Sequence, residues 1–430
     1  MGHIYEKLGA RIDRMQVRTP WDQTFHEILR ELYTPEEAEL ITIMPYGMSD
    51  FKRVREMTRM EEGRLRGLLE SLCSKGLVMD LRIGEETYYT SSPLVIGIFE
   101  FTMMRTGGDL DRKKIAGLFH DYMGQGFFDA NFGSGQSSTL MRTLPHEEAI
   151  FESHRTEVLD YESARAMMDG FDRFSIGLCS CRHKKLHTGE KTCKVPLEKC
   201  SSFGRAADFL IRNNLAREVG KAEMLDNLAE SREMGLVLNA DNVRRGITYL
   251  CHCCKDCCLA LSGVSRYGYP KSILTSGFMA ETDSESCIGC GKCAKACAVD
   301  CITMEPDTDP ATKRKRRPHV DRGFCLGCGV CALKCEKGAM RLVKREKRVI
   351  PPESTFERVI LMHLERGNLG YQMFDNPRSL GHRFMRAFVG GFLRLPPVKR
   401  ALVSDSLRSG FLNFMKKGVE MKGRGFLLDI

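Results

Sequence analysis

The chain of 430 residues has no run of about 18 uncharged apolar residues, so no membrane-spanning helix is expected. Its first residues, Met1-Gly2-His3-Ile4-Tyr5-Glu6-Lys7, lack the apolar stretch of a secretory signal, and a cytoplasmic location is expected. No G-x-G-x-x-G follows a strand-like run and no Walker A motif occurs, so a nucleotide-binding catalytic subunit is not expected. A net positive charge is missing from residues 1–100, where 13 Lys and Arg stand against 17 Asp and Glu for a net −4. A DNA reader presents a basic face because phosphate contacts dominate affinity, so nucleic acid is not the expected partner. The charge lies elsewhere: residues 1–310 carry a net −7 and residues 311–430 a net +16.

What is abundant is cysteine, 19 residues in all. Thiols stay reduced in the cytoplasm, so clustered cysteines read as metal ligands and not as disulfides. Cys287, Cys290, Cys293 and Cys297 are spaced C-x2-C-x2-C-x3-C, and Cys325, Cys328, Cys331 and Cys335 repeat that spacing. Thiolates are soft ligands for iron–sulfur clusters, and two-residue spacing lets three sulfurs converge from one tight loop. Gly289, Gly291, Gly327 and Gly329 let the backbone wrap closely around those sulfurs. Zinc also uses C-x2-C pairs, but a doubled run of four argues against it.

This segment resembles the bacterial 2[4Fe-4S] ferredoxin family over about 60 residues. It departs in three ways. Ala298 and Glu336 replace the proline usual after each fourth cysteine, the loop around Pro310–Pro318 is enlarged and basic, and Cys301 is a spare thiol expected to pack and not to ligate. The resemblance implies crossed ligation: one cluster on Cys287, Cys290, Cys293 and Cys335, the other on Cys325, Cys328, Cys331 and Cys297.

Two further groups lie upstream. Cys179, Cys181, Cys193 and Cys200 are spaced C-x-C-x11-C-x6-C, with Arg182 and His183 beside them. Cys251 to Cys258 holds five more, of which Cys253, Cys254, Cys257 and Cys258 are the expected ligands. These supply one or two additional clusters, or zinc, and the spacing leaves open whether the groups act separately or share one site. His183, His187 and His252 are read as capping or solvated side chains.

Residues 20–90 show helical periodicity at Phe25, Ile28, Leu29 and Leu32 and again at Leu65, Leu68, Leu69 and Leu72. A hairpin at Gly84-Glu85-Glu86 follows, so the unit is winged-helix-like. Helices are expected over 203–219 and 221–233. The whole order also resembles a family of multi-cluster iron–sulfur proteins from anaerobic bacteria: winged-helix-like start, Cys-x-Cys-Arg region, Cys-Cys-rich loop and dicluster ferredoxin.

The expected fold class is α+β and multidomain. It comprises a winged-helix-like domain (1–100), a connector (101–175) with a Gly-rich, irregular segment over 106–143, and a Cys-rich, mainly helical central region (176–280). A dicluster ferredoxin domain (281–348) and a basic amphipathic helical tail (349–430) complete it. The expected function is iron–sulfur electron transfer beside a redox partner protein or a low-potential oxidoreductase. The alternative is a redox-sensing transcriptional regulator using residues 1–100. Lys313, Arg314, Lys315, Arg316 and Arg317 are read as a patch near an electron exit. The tail, with Leu380, Phe384, Phe388 and Phe392 four residues apart, packs on the body, lies on a membrane surface or docks a redox enzyme.

Overall fold

The computed structural model describes all residues except 1, 137, 310, 311, 313, 349 and 430. Helix Gln23–Leu32 buries Phe25, Ile28, Leu29 and Leu32, and the Asp22 carboxylate accepts the Phe25 N–H at 2.6 Å to cap it. A Thr34–Glu37 capping box opens Pro35–Ile43. Helix Glu62–Ser74 buries Leu65, Leu69 and Leu72. Strands β1 (Ser49–Asp50), β2 (Val78–Ile83) and β3 (Glu86–Ser91) form a small antiparallel sheet in the order β1-β3-β2.

The Gly-rich segment is not irregular. It folds as helices Arg112–Gly124 and Phe127–Phe132, which bury Ile115, Phe119, Tyr122, Phe127 and Phe128 in the core of the N-terminal helices. Gly124, Gly126 and Gly133 lie at the ends of those helices, so a high glycine count marks boundaries here and not disorder.

The central region is also not mainly helical. Its frame is a six-stranded sheet of β4 (Met141–Leu144), β5 (Phe174–Leu178), β6 (Glu198–Phe203), β7 (Ala216–Val219), β8 (Val237–Asp241) and β9 (Tyr249–Cys253). The order is β4-β8-β9-β6-β5-β7, and neighbours pair antiparallel. All five residues of β8 are buried, which removes the alternation that would have revealed it. The helix expected over 203–219 stops at Arg212; Asn214 takes φ 55 and the chain continues as β7. Helix Lys221–Glu233 is present as expected.

In the third region β10 (Phe278–Thr282) pairs with β13 (Met340–Lys344), and β11 (Ile302–Pro306) with β12 (Arg316–Val320). Short helices Lys292–Ala296 and Val330–Leu333 sit between them. The tail begins with the buried helix Thr355–Arg366 and docks on the N-terminal helices. Asp375 accepts hydrogen bonds from Arg53 at 2.8 Å and Arg424 at 2.9 Å, and Asn368 Nδ2 donates to Arg14 O at 2.8 Å. Helices Leu380–Arg394, Pro396–Val403 and Asp405–Met421 follow. Among the described residues no helix is long and apolar enough to cross a membrane.

Candidate metal centres

The two C-x2-C-x2-C-x3-C runs fold as loop-plus-helix pairs enclosed by β10–β13. Cys297 has left its own run: it lies with Cys325, Cys328 and Cys331 around a small cavity of about 20 Å³. The backbone offers donors to sulfur, with Ala280 N–H on Cys325 Sγ at 3.5 Å and Met340 N–H on Cys335 Sγ at 3.4 Å. Such bonds stabilise anionic sulfur and tune cluster potential. The loops are closed so tightly that a Cβ on Gly289 would come 2.3 Å from Arg316 O. Convergent thiols, inward N–H groups and that cradle fit the cubane.

Cys301, expected only to pack, is closer to the chemistry than that. Its Sγ is 3.5 Å from Cys297 Sγ, and it also contacts Cys325. Its hydrogen bonds pull the Cys297 thiol down to about 7 and the Cys325 thiol to about 6, against the opposing effect of burial. The basic loop likewise divides. Arg314 is engaged with Asp307, Ser284 O and Cys287 O, so it braces a ligand loop and is no free surface charge. Lys315, Arg316 and Arg317 are exposed, and Lys313 lies outside the described residues.

The central cysteines come from four places: the turn and first helical residues after β5 (Cys179, Cys181), the following loop (Cys193), β6 (Cys200), and β9 with its exit loop (Cys251, Cys253, Cys254, Cys257, Cys258). The two sequence groups interleave. The sulfurs of Cys193, Cys254 and Cys257 all lie within 4.8 Å of one another, with Cys193 at 3.6 Å from Cys257 and 3.7 Å from Cys254. The other six form a chain of thiol contacts running Cys179–Cys181–Cys258–Cys253–Cys251–Cys200. Cys251, which spacing alone left out of the ligand set, is part of it. Alternation places Cys251 and Cys253 of β9 on one face of the strand.

The electrostatics favour thiolate at Cys253 and Cys254, while Cys179, Cys181, Cys251, Cys257 and Cys258 are pushed toward the neutral thiol. A hydrogen bond from Cys257 pulls the Cys254 thiol down to about 5 against burial, and the Arg182 guanidinium adds to it. Hydrogen bonds from Cys251 and Cys258 bring Cys253 down to about 6. Arg182 is fully buried and also donates to His252 O. Asp256 fixes the opposite loop, accepting from Thr192 Oγ1 at 2.7 Å and from Cys193 N–H at 3.1 Å. The histidines are otherwise engaged: His183 Nδ1 pairs with Met103 O at 2.5 Å and His252 Nε2 with Ser201 Oγ at 2.9 Å.

Above these sulfurs lies a chamber of about 1030 Å³ whose wall is shared by the N-terminal helices, the central sheet and the tail. No sequence signal announced it, because its lining comes from segments hundreds of residues apart.

A paired-strand scaffold that wraps two four-cysteine sets in inward-pointing N–H groups is an iron–sulfur domain. Residues 286–339 match the family of 4Fe-4S dicluster domains. No curated protein and no solved structure matches the chain.

Proposed function

We propose that the chain is an electron-transfer partner or subunit of a low-potential oxidoreductase, with two [4Fe-4S] clusters in the dicluster domain and at least one further centre on the central cysteines. The carrying observation is the asymmetry of the two ligand sets. In the first set only Cys293 is buried and Cys290 is exposed, whereas three of the second, Cys297, Cys325 and Cys331, are buried in one core with Cys253 and Cys258 of the central group. When bound, such clusters supply reversible one-electron transfers. Cys287, Cys290, Cys293 and Cys335 would hold the solvent-facing cluster, and Cys297, Cys325, Cys328 and Cys331 the inner one. Strand β12 lays Arg316 against the first ligand loop, so the exposed Lys315, Arg316 and Arg317 flank the outward cluster and suit an acidic partner.

The regulator reading is less well supported. On helix Glu62–Ser74, Arg64 pairs with Glu36 and Arg66 with Glu62, so its cations are already neutralised. A protein-contact role for residues 1–100 suits that surface better than DNA.

Anaerobically isolated protein is expected to hold at least about eight iron and eight sulfide per chain, and about twelve to sixteen with the central sites filled. Electron transfer to its partner should slow as salt shortens the Debye length below about 8 Å. Zinc as the main metal would refute the proposal. A separate test addresses ligand exchange between the runs. Cys297→Ser should alter the EPR signal of the cluster on Cys325, Cys328 and Cys331, and Cys335→Ser that of the other. Disturbance of each run's own cluster alone would disprove the crossing.

A further inference from the structure

The chamber beside the central cysteines is not explained by electron carriage between proteins. Its wall includes Phe99, Phe101, Phe128, Leu140, Ile360 and Met415, together with all the central cysteines except Cys193. Its volume is at or above the upper end of ordinary small-molecule sites, and its surface is mostly apolar, so it suits a large apolar body.

Polar side chains in this wall include Glu100, Arg182, Lys199, Asp241, His252 and Arg424, and one helix adds a row of its own. Thr355, Arg358 and Arg366 come from one helix, at spacings that set them on one face with Met362, and all four line the chamber. Arg358 is 7% exposed; its Nη2 stands 3.8 Å from Asp241 Oδ1, and its Nε has no hydrogen-bond partner. Thr355 Oγ1 and Arg366 Nε and Nη1 are unpartnered as well, while Arg366 Nη2 donates to Asn131 Oδ1 at 3.4 Å. Buried donors without acceptors are costly, so this row points to a ligand that brings acceptor oxygens.

The chamber has an opening at the tail. Phe414 and Met421 line it and are 65% and 82% exposed. The same tail carries an uncovered apolar stripe on helix Leu380–Arg394: Leu380, Phe384, Phe388 and Phe392 are 71%, 69%, 68% and 57% exposed. From Asn376 to Ser404 there are six Lys and Arg and no Asp or Glu. An aromatic stripe within a purely basic segment is complementary to an anionic bilayer surface, on which it would lie without crossing.

We propose that the tail rests on an anionic membrane and that the chamber receives a lipophilic quinone from it, with the quinone's ring oxygens accepting from the Thr355–Arg358–Arg366 row. The inference rests on the electron-transfer reading. Reduction would take two electrons from the reduced iron–sulfur protein and two protons from solvent; both C=O groups become C–OH, and the oxidised protein is left to be reduced again.

The test uses the full chain, prepared anaerobically, with vesicles of anionic phospholipid that do or do not contain a long-chain quinone. Wild type should sediment with both and, after extraction into detergent and gel filtration, retain quinone. Gly418→Phe should fill the chamber, since a Cβ at Gly418 meets nothing within 4 Å. Met421→Lys places a charge at the opening. Each should lower quinone retention, and the rate at which quinone vesicles bleach the reduced protein, by about tenfold. Iron content serves as the folding control. The pair Phe384→Glu and Phe388→Glu should abolish sedimentation. Retention of phospholipid in place of quinone, equal retention by wild type and both chamber variants, or no vesicle binding would overturn the proposal. A chain that holds zinc in place of iron and still retains quinone would instead count against the electron-transfer reading and leave the chamber site standing.

Discussion

Replacing Cys254 by serine is expected to remove one whole iron–sulfur centre, about four iron atoms per chain, and to leave the dicluster domain filled. Cys254 is the thiol held lowest in the central group, at about 5, and it shares a 4.8 Å neighbourhood with Cys193 and Cys257. Removing it breaks that triad at the member nearest Arg182 electrostatically and leaves the buried guanidinium facing a hydroxyl. A serine oxygen is a harder, more basic donor and replaces thiolate poorly. The matched control is Cys73→Ser. That thiol is buried in the N-terminal core, where burial pushes its pKa up, and it touches none of the other cysteines by hydrogen bond. Iron and sulfide analysis of the two variants, with EPR of the reduced samples, decides the matter. Equal iron in wild type and Cys254→Ser would mean that the central cysteines hold no centre dependent on this thiol.

Gly327→Ala should be nearly as damaging, through the backbone and not through a ligand. Gly327 lies between Cys325 and Cys328 at φ +71, a conformation that costs an L-residue about 1–2 kcal/mol. A Cβ there would stand 2.1 Å from Phe278 O and 2.3 Å from Ser276 Oγ. Strand β10 cannot easily retreat. It is paired with β13 along its length, and Ala280 N–H reaches Cys325 Sγ from it. The combined cost is expected to exceed about 3 kcal/mol, enough to lower Tm by several degrees and empty the inner cluster site. Gly84→Ala separates strain from collision: it has φ +63 but nothing within 4 Å of the added carbon, so only the smaller backbone cost should appear. A Gly327→Ala chain with unchanged Tm and full iron would show that the loop is less tightly held than these distances require.

Some of this was legible in the sequence for physical reasons. Cysteine spacing encodes loop geometry directly, so the dicluster domain could be read from eight residues. Helix Gln23–Leu32 announced itself because one of its faces is fully apolar and the other polar. The central sheet did not, because a strand such as β8, with Val237, Asn239 and Asp241 all buried, carries neither alternation nor a polar face. The pairing of Cys193 with Cys254 and Cys257 was equally hidden. It depends on how a loop after β5 folds back on one after β9, and spacing within either motif says nothing about that meeting. Cys301 looked inert because its role comes from the crossing of Cys297 toward Cys325, a tertiary event.

The dicluster domain and the central sheet share more than proximity. His146 N–H donates to Cys328 O at 3.0 Å, Phe151 N–H to Leu342 O at 3.0 Å, and Lys255 pairs with Asp300. Their common core is built partly of sulfur, with Cys253, Cys258, Cys293, Cys297, Cys325 and Cys331 where aliphatic side chains would normally stand. A core of thiols coheres through metal, so filling the inner cluster site is expected to tighten this shared core. A chain that lost the inner cluster would therefore loosen where the two domains meet. In a metal-free chain this seam between the two domains would be the place where proteolysis begins.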